Sequence, residues 1–73
     1  MGKLRVLSGK EVCRILSNHG FKEVRQRGSH LLMQKMVPGS TITIPVVDHA
    51  ELRIGTLQSI IRQSGIPRSE FEL

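Results

Sequence analysis

Apolar residues recur every three to four positions in two stretches of this chain, and alternate with polar ones between them. Val12, Ile15, Leu16 and His19 fall on one helical stripe, and Leu57, Ile60 and Ile61 on another. The first helix is predicted over about residues 9–19. Its start, Ser8-Gly9-Lys10-Glu11, is a capping box: the Ser8 hydroxyl accepts a first-turn N–H and Glu11 reaches back to the Ser8 N–H. Gly20 ends this helix in a left-handed position, so that Phe21 folds back onto the last turn. The second helix opens at Gly55-Thr56, carries Gln58, Ser59, Arg62 and Gln63 on its polar side, and stops at Gly65. Pro67 then suits the first position of a short last turn, Pro67–Phe71, which pins Phe71 to the body.

Three strands are predicted between the helices. Phe21–Arg27 and His30–Met36 flank Gly28-Ser29, a two-residue hairpin signal with glycine at the first central position. Thr41-Ile42-Thr43-Ile44 alternates as a third strand beyond Val37-Pro38-Gly39-Ser40, whose Pro-Gly pair suits a type II turn. Two-residue turns set the register. The first pairs Arg27 with His30, Gln26 with Leu31, Arg25 with Leu32 and Val24 with Met33. The second puts Ile44 opposite Met33 and Ile42 opposite Lys35. Val24, Leu31, Met33, Ile42 and Ile44 therefore share one core face, and Arg25, Arg27, His30, Leu32 and Gln34 share the other. Pro45 cannot donate to a ladder, so the third strand ends there or lies at the edge, and Val46–Ile54 reads as a loop. The expected architecture is α+β in the order α-β-β-β-α. Both helices pack on one face of a three-stranded antiparallel sheet, and the face with the arginines and His30 stays uncovered.

Size and charge narrow what such a frame can do. Seventy-three residues suffice for one domain, spanning 1–73. A chain this short buries only about 60% of the surface of its unfolded form, and such a core rarely supplies more than roughly 3–5 kcal/mol. That excludes a deep pocket or a large cofactor site, and puts any active site on an exposed face. Residues 1–35 carry eight Lys or Arg residues against Glu11 and Glu23. Residues 36–73 carry Arg53, Arg62 and Arg68 against Asp48, Glu51, Glu70 and Glu72. A basic half in a small domain points to a polyanion partner. The single cysteine, Cys13, rules out an internal disulfide, fits a reducing cytoplasm and sits in the helical pattern as a packing residue. No apolar run approaches the roughly 20 residues that cross a membrane, and Met1–Leu7 lacks the apolar stretch of a signal peptide.

The chemistry concentrates at Arg25-Gln26-Arg27-Gly28-Ser29-His30. Imidazole, with an unperturbed pKa near ~6.5, takes and gives protons at neutral pH, and guanidinium groups hold phosphate. Gly28 lets a ligand approach the backbone closely. Cleaving RNA without a metal needs a base at the 2′-hydroxyl, an acid at the leaving 5′-oxygen and charge stabilisation at the phosphate. His30 suits either proton role, Arg25 and Arg27 the phosphate, Ser29 at most a phosphate contact, and Lys22 adds salt-dependent attraction. The bland reading makes His30 a surface residue at a strand end. His49 reads as a loop or packing residue that could still supply the second proton role. His19 sits at a helix C-terminus, where a cation is mildly favoured. His30, His49 and Asp48 match no standard zinc spacing. The Gly55-Thr56 helix start could hold a phosphate or be an ordinary cap, and Lys10 and Arg14 read as a solvated basic face.

The chain resembles the HicA family of small toxin ribonucleases from bacterial and archaeal toxin–antitoxin systems. The likeness is carried by Ser8-Gly9-Lys10-Glu11-Val12, Gly20-Phe21, Arg25-Gln26-Arg27-Gly28-Ser29-His30, Thr43-Ile44-Pro45, His49 with Glu51-Leu52, and Gly55-Thr56-Leu57 leading into Ile60-Ile61-Arg62-Gln63. The resemblance implies a double-stranded-RNA-binding-domain-like fold and metal-independent cleavage of mRNA in the cytoplasm. It implies no cofactor, His30 as the catalytic residue, and a HicB antitoxin that masks the site. It further implies a chain monomeric alone and hetero-oligomeric with the antitoxin. The competing functions are a non-catalytic RNA-binding module of the same fold, and a chain acting mainly through a protein that covers the sheet face at Leu32.

Overall fold

The computed structural model describes residues 2–73. The elements run α1 (Gly9–Ser17), β1 (Lys22–Arg27), β2 (His30–Val37), β3 (Ser40–Val47), α2 (Ile54–Ser64) and a closing 3-10 turn (Arg68–Phe71). The strands form one antiparallel sheet in the order β1-β2-β3. The α+β class and the element order are those that the hydrophobic pattern predicts.

The capping box forms in full. Ser8 Oγ accepts the Glu11 N–H at 3.1 Å, and Glu11 Oε1 accepts the Ser8 N–H at 2.9 Å. The Ser8 N–H, helped by the Ser8 hydroxyl, stabilises the ionised Glu11 carboxyl and holds it below its ordinary range. Helix α1 stops two residues short of expectation, with Asn18 as its C-cap. His19 and Gly20 continue as a turn, and the Phe21 N–H donates back to the Leu16 carbonyl at 3.1 Å, which seats the Phe21 ring in the core. Helix α2 starts one residue early, at Ile54, and ends at Gly65. Pro67 caps the closing turn rather than opening it. Phe71 is fully buried there, and its carbonyl accepts the Arg5 N–H at 2.9 Å. The first and last described segments are thereby strapped together, with Leu4 bridged to Glu72.

The β2–β3 register is the predicted one, with Met33 opposite Ile44 and Lys35 opposite Ile42. In the first hairpin Arg27 faces His30, Gln26 faces Leu31 and Arg25 faces Leu32, again as predicted. The pairing then slips. A bulge between Glu23 and Arg25 puts Glu23, not Val24, opposite Met33. Val24 is not a core residue: it is 52% exposed and borders a surface recess with Lys22, Gln34 and Met36. The reason lies in the position of β1. Helix α1 reaches β1 as well as β3, but every residue of this edge strand stays exposed, so an apolar residue there is not sealed from water. An extra residue costs little on such an edge and blunts it against pairing with another chain.

The third strand also exceeds its prediction. It runs through Pro45 to Val47, and Val46 is buried in the core. Next to a two-residue turn the flanking residues, Val37 and Ser40, form a hydrogen-bonded pair, and the pairs alternate from there. Ser40, Ile42, Ile44 and Val46 therefore point their backbone groups at β2. Pro45 points to the free edge, where its missing N–H removes no ladder bond. The loop expected over Val46–Ile54 shrinks to residues 48–53. Leu7, Val12, Leu16, Phe21, Met33, Ile44, Val46, Leu57, Ile60 and Phe71 lie in one continuous core between sheet and helices.

Candidate functional site

The sheet face away from the helices is made by alternate residues of each strand. Leu31, Met33, Ile44 and Val46 are buried under the helices, so His30, Leu32, Gln34 and Met36 of β2 face the other way. The register adds Lys22, Arg25 and Arg27 from β1, and Thr41, Thr43, Pro45 and Val47 from β3. None of these strand residues is a carboxylate. Among the described residues the ion pairs join His19 to Glu70 and Arg68 to Glu72, and neither involves Lys22, Arg25 or Arg27. Three exposed cations therefore stand on a face with no internal counter-charge.

His30 is exposed at the start of β2. Its direct partners across the strands are Arg27 on one side and Val47 on the other. Arg25 follows diagonally. The hairpin that sets this geometry turns at Gly28-Ser29, with Gly28 at φ 56° and Ser29 at negative φ. That pattern fits a type II′ turn, whose first central position glycine fills without strain. A Cβ at Gly28 would meet nothing within 4 Å, so the turn is open to a ligand. The Gln26 amide donates to the Gly28 carbonyl at 3.3 Å. Asp48 donates its N–H to the Ser29 carbonyl at 2.6 Å, which ties the turn to the end of β3. Gln34 donates to Thr43 Oγ1 at 3.1 Å across the same face.

Sequence reasoning thus brings His30, Arg25, Arg27, Gly28, Ser29 and Lys22 to one face and one turn. It does not bring the other candidates there. His19 is part-buried behind the sheet: its Nδ1 lies 3.0 Å from the Ile15 carbonyl oxygen and its Nε2 3.6 Å from Glu70, linking α1 to the closing turn. Lys10 and Arg14 ride on α1, in the layer opposite the open face. Cys13 is half-buried against the core, and burial, helped by the Glu23 and Asp48 charges, pushes its thiol up to about 11. A thiol so raised packs and does not attack. His49 is exposed in the loop after β3, and its carbonyl accepts the Gly9 N–H at 2.9 Å. Its side chain borders a recess of about 310 Å³ with Val47, Leu52, Arg53 and Thr56, beside the α2 start. Helix α2 has no side-chain cap there. Among the described residues no three His, Cys, Asp or Glu side chains converge as a metal-holding group, and no helix is long and apolar enough to cross a membrane.

Two contributors went unread in the sequence. Asp48 acts through its backbone N–H, and Gly9 through having no side chain. Neither has a residue-type signal at its own position.

The family model described as the HicA toxin of bacterial toxin–antitoxin matches residues 9–66, well over half of the chain. The chain belongs to the HicA toxin family. No curated protein matches it. The HicA match runs from the first residue of α1 to just past α2 and so contains the whole sheet, the Gly28-Ser29-His30 turn and the loop to α2. Membership makes this HicA-family chain a toxin of a toxin–antitoxin system, with an antitoxin as its counterpart. The strap between residues 3–5 and the closing turn, which seals the core at Phe71, lies mostly outside the matched span.

Proposed function

We propose that the chain, over residues 1–73, is a single-domain endoribonuclease toxin that cleaves mRNA in the cytoplasm with His30 as its catalytic residue. The observation that carries this reading is that, among the described residues, His30 is the one imidazole on an uncovered sheet face, and the arginine directly across the hairpin is in neither ion pair. In the proposed step the 2′-hydroxyl loses its proton to a nitrogen of His30, and its oxygen attacks the adjacent phosphorus. The bond from phosphorus to the 5′-oxygen breaks. The products are a 2′,3′-cyclic phosphate and a 5′-hydroxyl, the latter protonated by water. Arg27 and Arg25 neutralise charge building on the phosphate oxygens. Gly28 and Ser29 offer a turn on which the sugar–phosphate chain can lie close to the backbone, and Lys22 extends the cationic track. No residue of this scheme calls for a metal or a cofactor.

The antitoxin counterpart, read as HicB-like, would cover the same face. Leu32, Met36 at 82% exposure and Val24 give that face apolar area between its cations, the mixture that protein interfaces use.

The test is incubation of the protein with single-stranded RNA in EDTA, beside His30→Ala. Cleavage to 2′,3′-cyclic ends by wild type, with loss of at least a hundredfold in the variant, is the expected result. Equal cleavage by both would remove His30 from the reaction. Salt-sensitive binding without cleavage by either would leave an RNA-binding module of the same fold.

A further inference from the structure

The segment between β3 and α2 is tied down at three points. The Asp48 N–H donates to the Ser29 carbonyl at 2.6 Å, at the hairpin tip. The Gly9 N–H donates to the His49 carbonyl at 2.9 Å, and the Leu52 N–H to the Leu7 carbonyl at 2.8 Å. The start of α1 is thereby joined, through this segment, to the turn that carries His30.

Gly9 is the residue on which the joint depends. It is buried, opens α1, and has no positive φ. A glycine is therefore not needed there for backbone freedom. It is needed for room: a Cβ at this position would overlap the Val47 carbonyl oxygen and stand 3.0 Å from the Asp48 Cα. Both obstacles are backbone and cannot rotate away. An alanine at position 9 must push the start of α1 and the Val47–Asp48 backbone apart. Val47 is the cross-strand partner of His30, and Asp48 holds the carbonyl of the residue just before it. Displacement of this pair passes straight to the histidine.

We infer that Gly9 is a positioning residue for His30, holding the Val47–Asp48 backbone close enough for the Asp48 N–H to fix the Gly28-Ser29-His30 turn. The inference rests on the assignment of His30 as the proton-transfer group. It goes beyond that assignment by locating what aims the group: a contact between α1 and β3 on the far side of the sheet from the RNA. Aim matters at this scale, because displacing a reacting group by about 1 Å can cost on the order of a hundredfold in rate.

The experiment compares wild type, Gly9→Ala and His30→Ala by single-turnover RNA cleavage per folded molecule, RNA affinity, and the NMR signals of the His30 ring. The expected result for Gly9→Ala is a rate reduced by ten- to a hundredfold, affinity within twofold of wild type, and shifted His30 ring signals. A purely structural role would lower the melting temperature and leave the rate per folded molecule alone. That result, or unmoved ring signals, overturns the inference. Should Gly9→Ala not fold, a chemically assembled chain with an ester in place of the Val47–Asp48 amide removes the one N–H and leaves α1 untouched. The same rate loss is expected, and an unchanged rate or failure of this chain also to fold overturns the inference. If His30→Ala cleaves like wild type while Gly9→Ala still shifts the ring signals, the His30 assignment has failed and the contact has not.

Discussion

Gly28 and Cys13 show how single residues constrain this small domain. Gly28 sits at φ 56° with open space where a Cβ would go, so Gly28→Ala probes the backbone and nothing else. A side-chain-bearing residue held at positive φ costs roughly 1–2 kcal/mol, and in a domain of this size each kcal/mol lowers the melting midpoint by about 4–8 °C. Calorimetry on Gly28→Ala should show that drop, and an unchanged midpoint would mean that the turn does not need its glycine. Cys13 gives a chemical readout. With its thiol pushed up to about 11 from 9.0 by burial, the thiolate fraction at pH 8 falls by on the order of a hundredfold. A raised acid favours the fold below the unfolded value and loses that contribution as pH climbs from 9 towards 11. Alkylation by iodoacetamide at pH 8 should be slow in the folded chain and become fast in urea. Equal rates in both would show Cys13 to be free of the core. His30 beside Arg27 was legible in the sequence because a two-residue turn leaves the flanking pair no choice. Gly9 was not, because its constraint comes from a carbonyl on a strand far along the chain.

At the scale of elements, the same logic explains what the pattern reached and where it stopped. Strand β2 is covered on one face by helices, so its alternation reports burial faithfully. Strand β1 is an edge strand with every residue exposed, so the alternation of Val24 reported nothing, and the bulge could not be read from it. Pro45 was readable as an edge residue but not as a mid-strand one, since only the hydrogen-bonding phase set by the Pro38-Gly39 turn shows where its missing donor points. The bulge makes a contrast that equilibrium unfolding can measure. Val24→Thr should change stability by less than about 0.5 kcal/mol, the usual range for exposed positions. Met33→Ala should cost about 2–5 kcal/mol, because Met33 is buried under both helices' layer. Comparable losses at the two positions would restore the unbulged register, in which Val24 faces Met33 in the core.

For the molecule as a whole, the fold sorts an excess of positive charge by layer. Lys10 and Arg14 go with α1, while Lys22, Arg25 and Arg27 go to the open face around His30. Sequence charge alone could not separate these groups, because both lie in the same half of the chain. The separation makes a quantitative expectation for RNA binding. Each phosphate neutralised on a single strand releases counterions and contributes about 0.7 to the slope of log affinity against log salt. Replacing Arg25 and Arg27 together by alanine should therefore flatten that slope by about 1.4 and weaken binding most at low salt. Replacing Lys10 and Arg14 removes the same net charge from the other layer, so it lowers general attraction while leaving the slope nearly as it was. The pair of double variants, titrated with the same single-stranded RNA over a range of potassium chloride, separates a local contact from a bulk-charge effect. Equal slopes in the two variants would mean that RNA does not choose the face on which His30 stands.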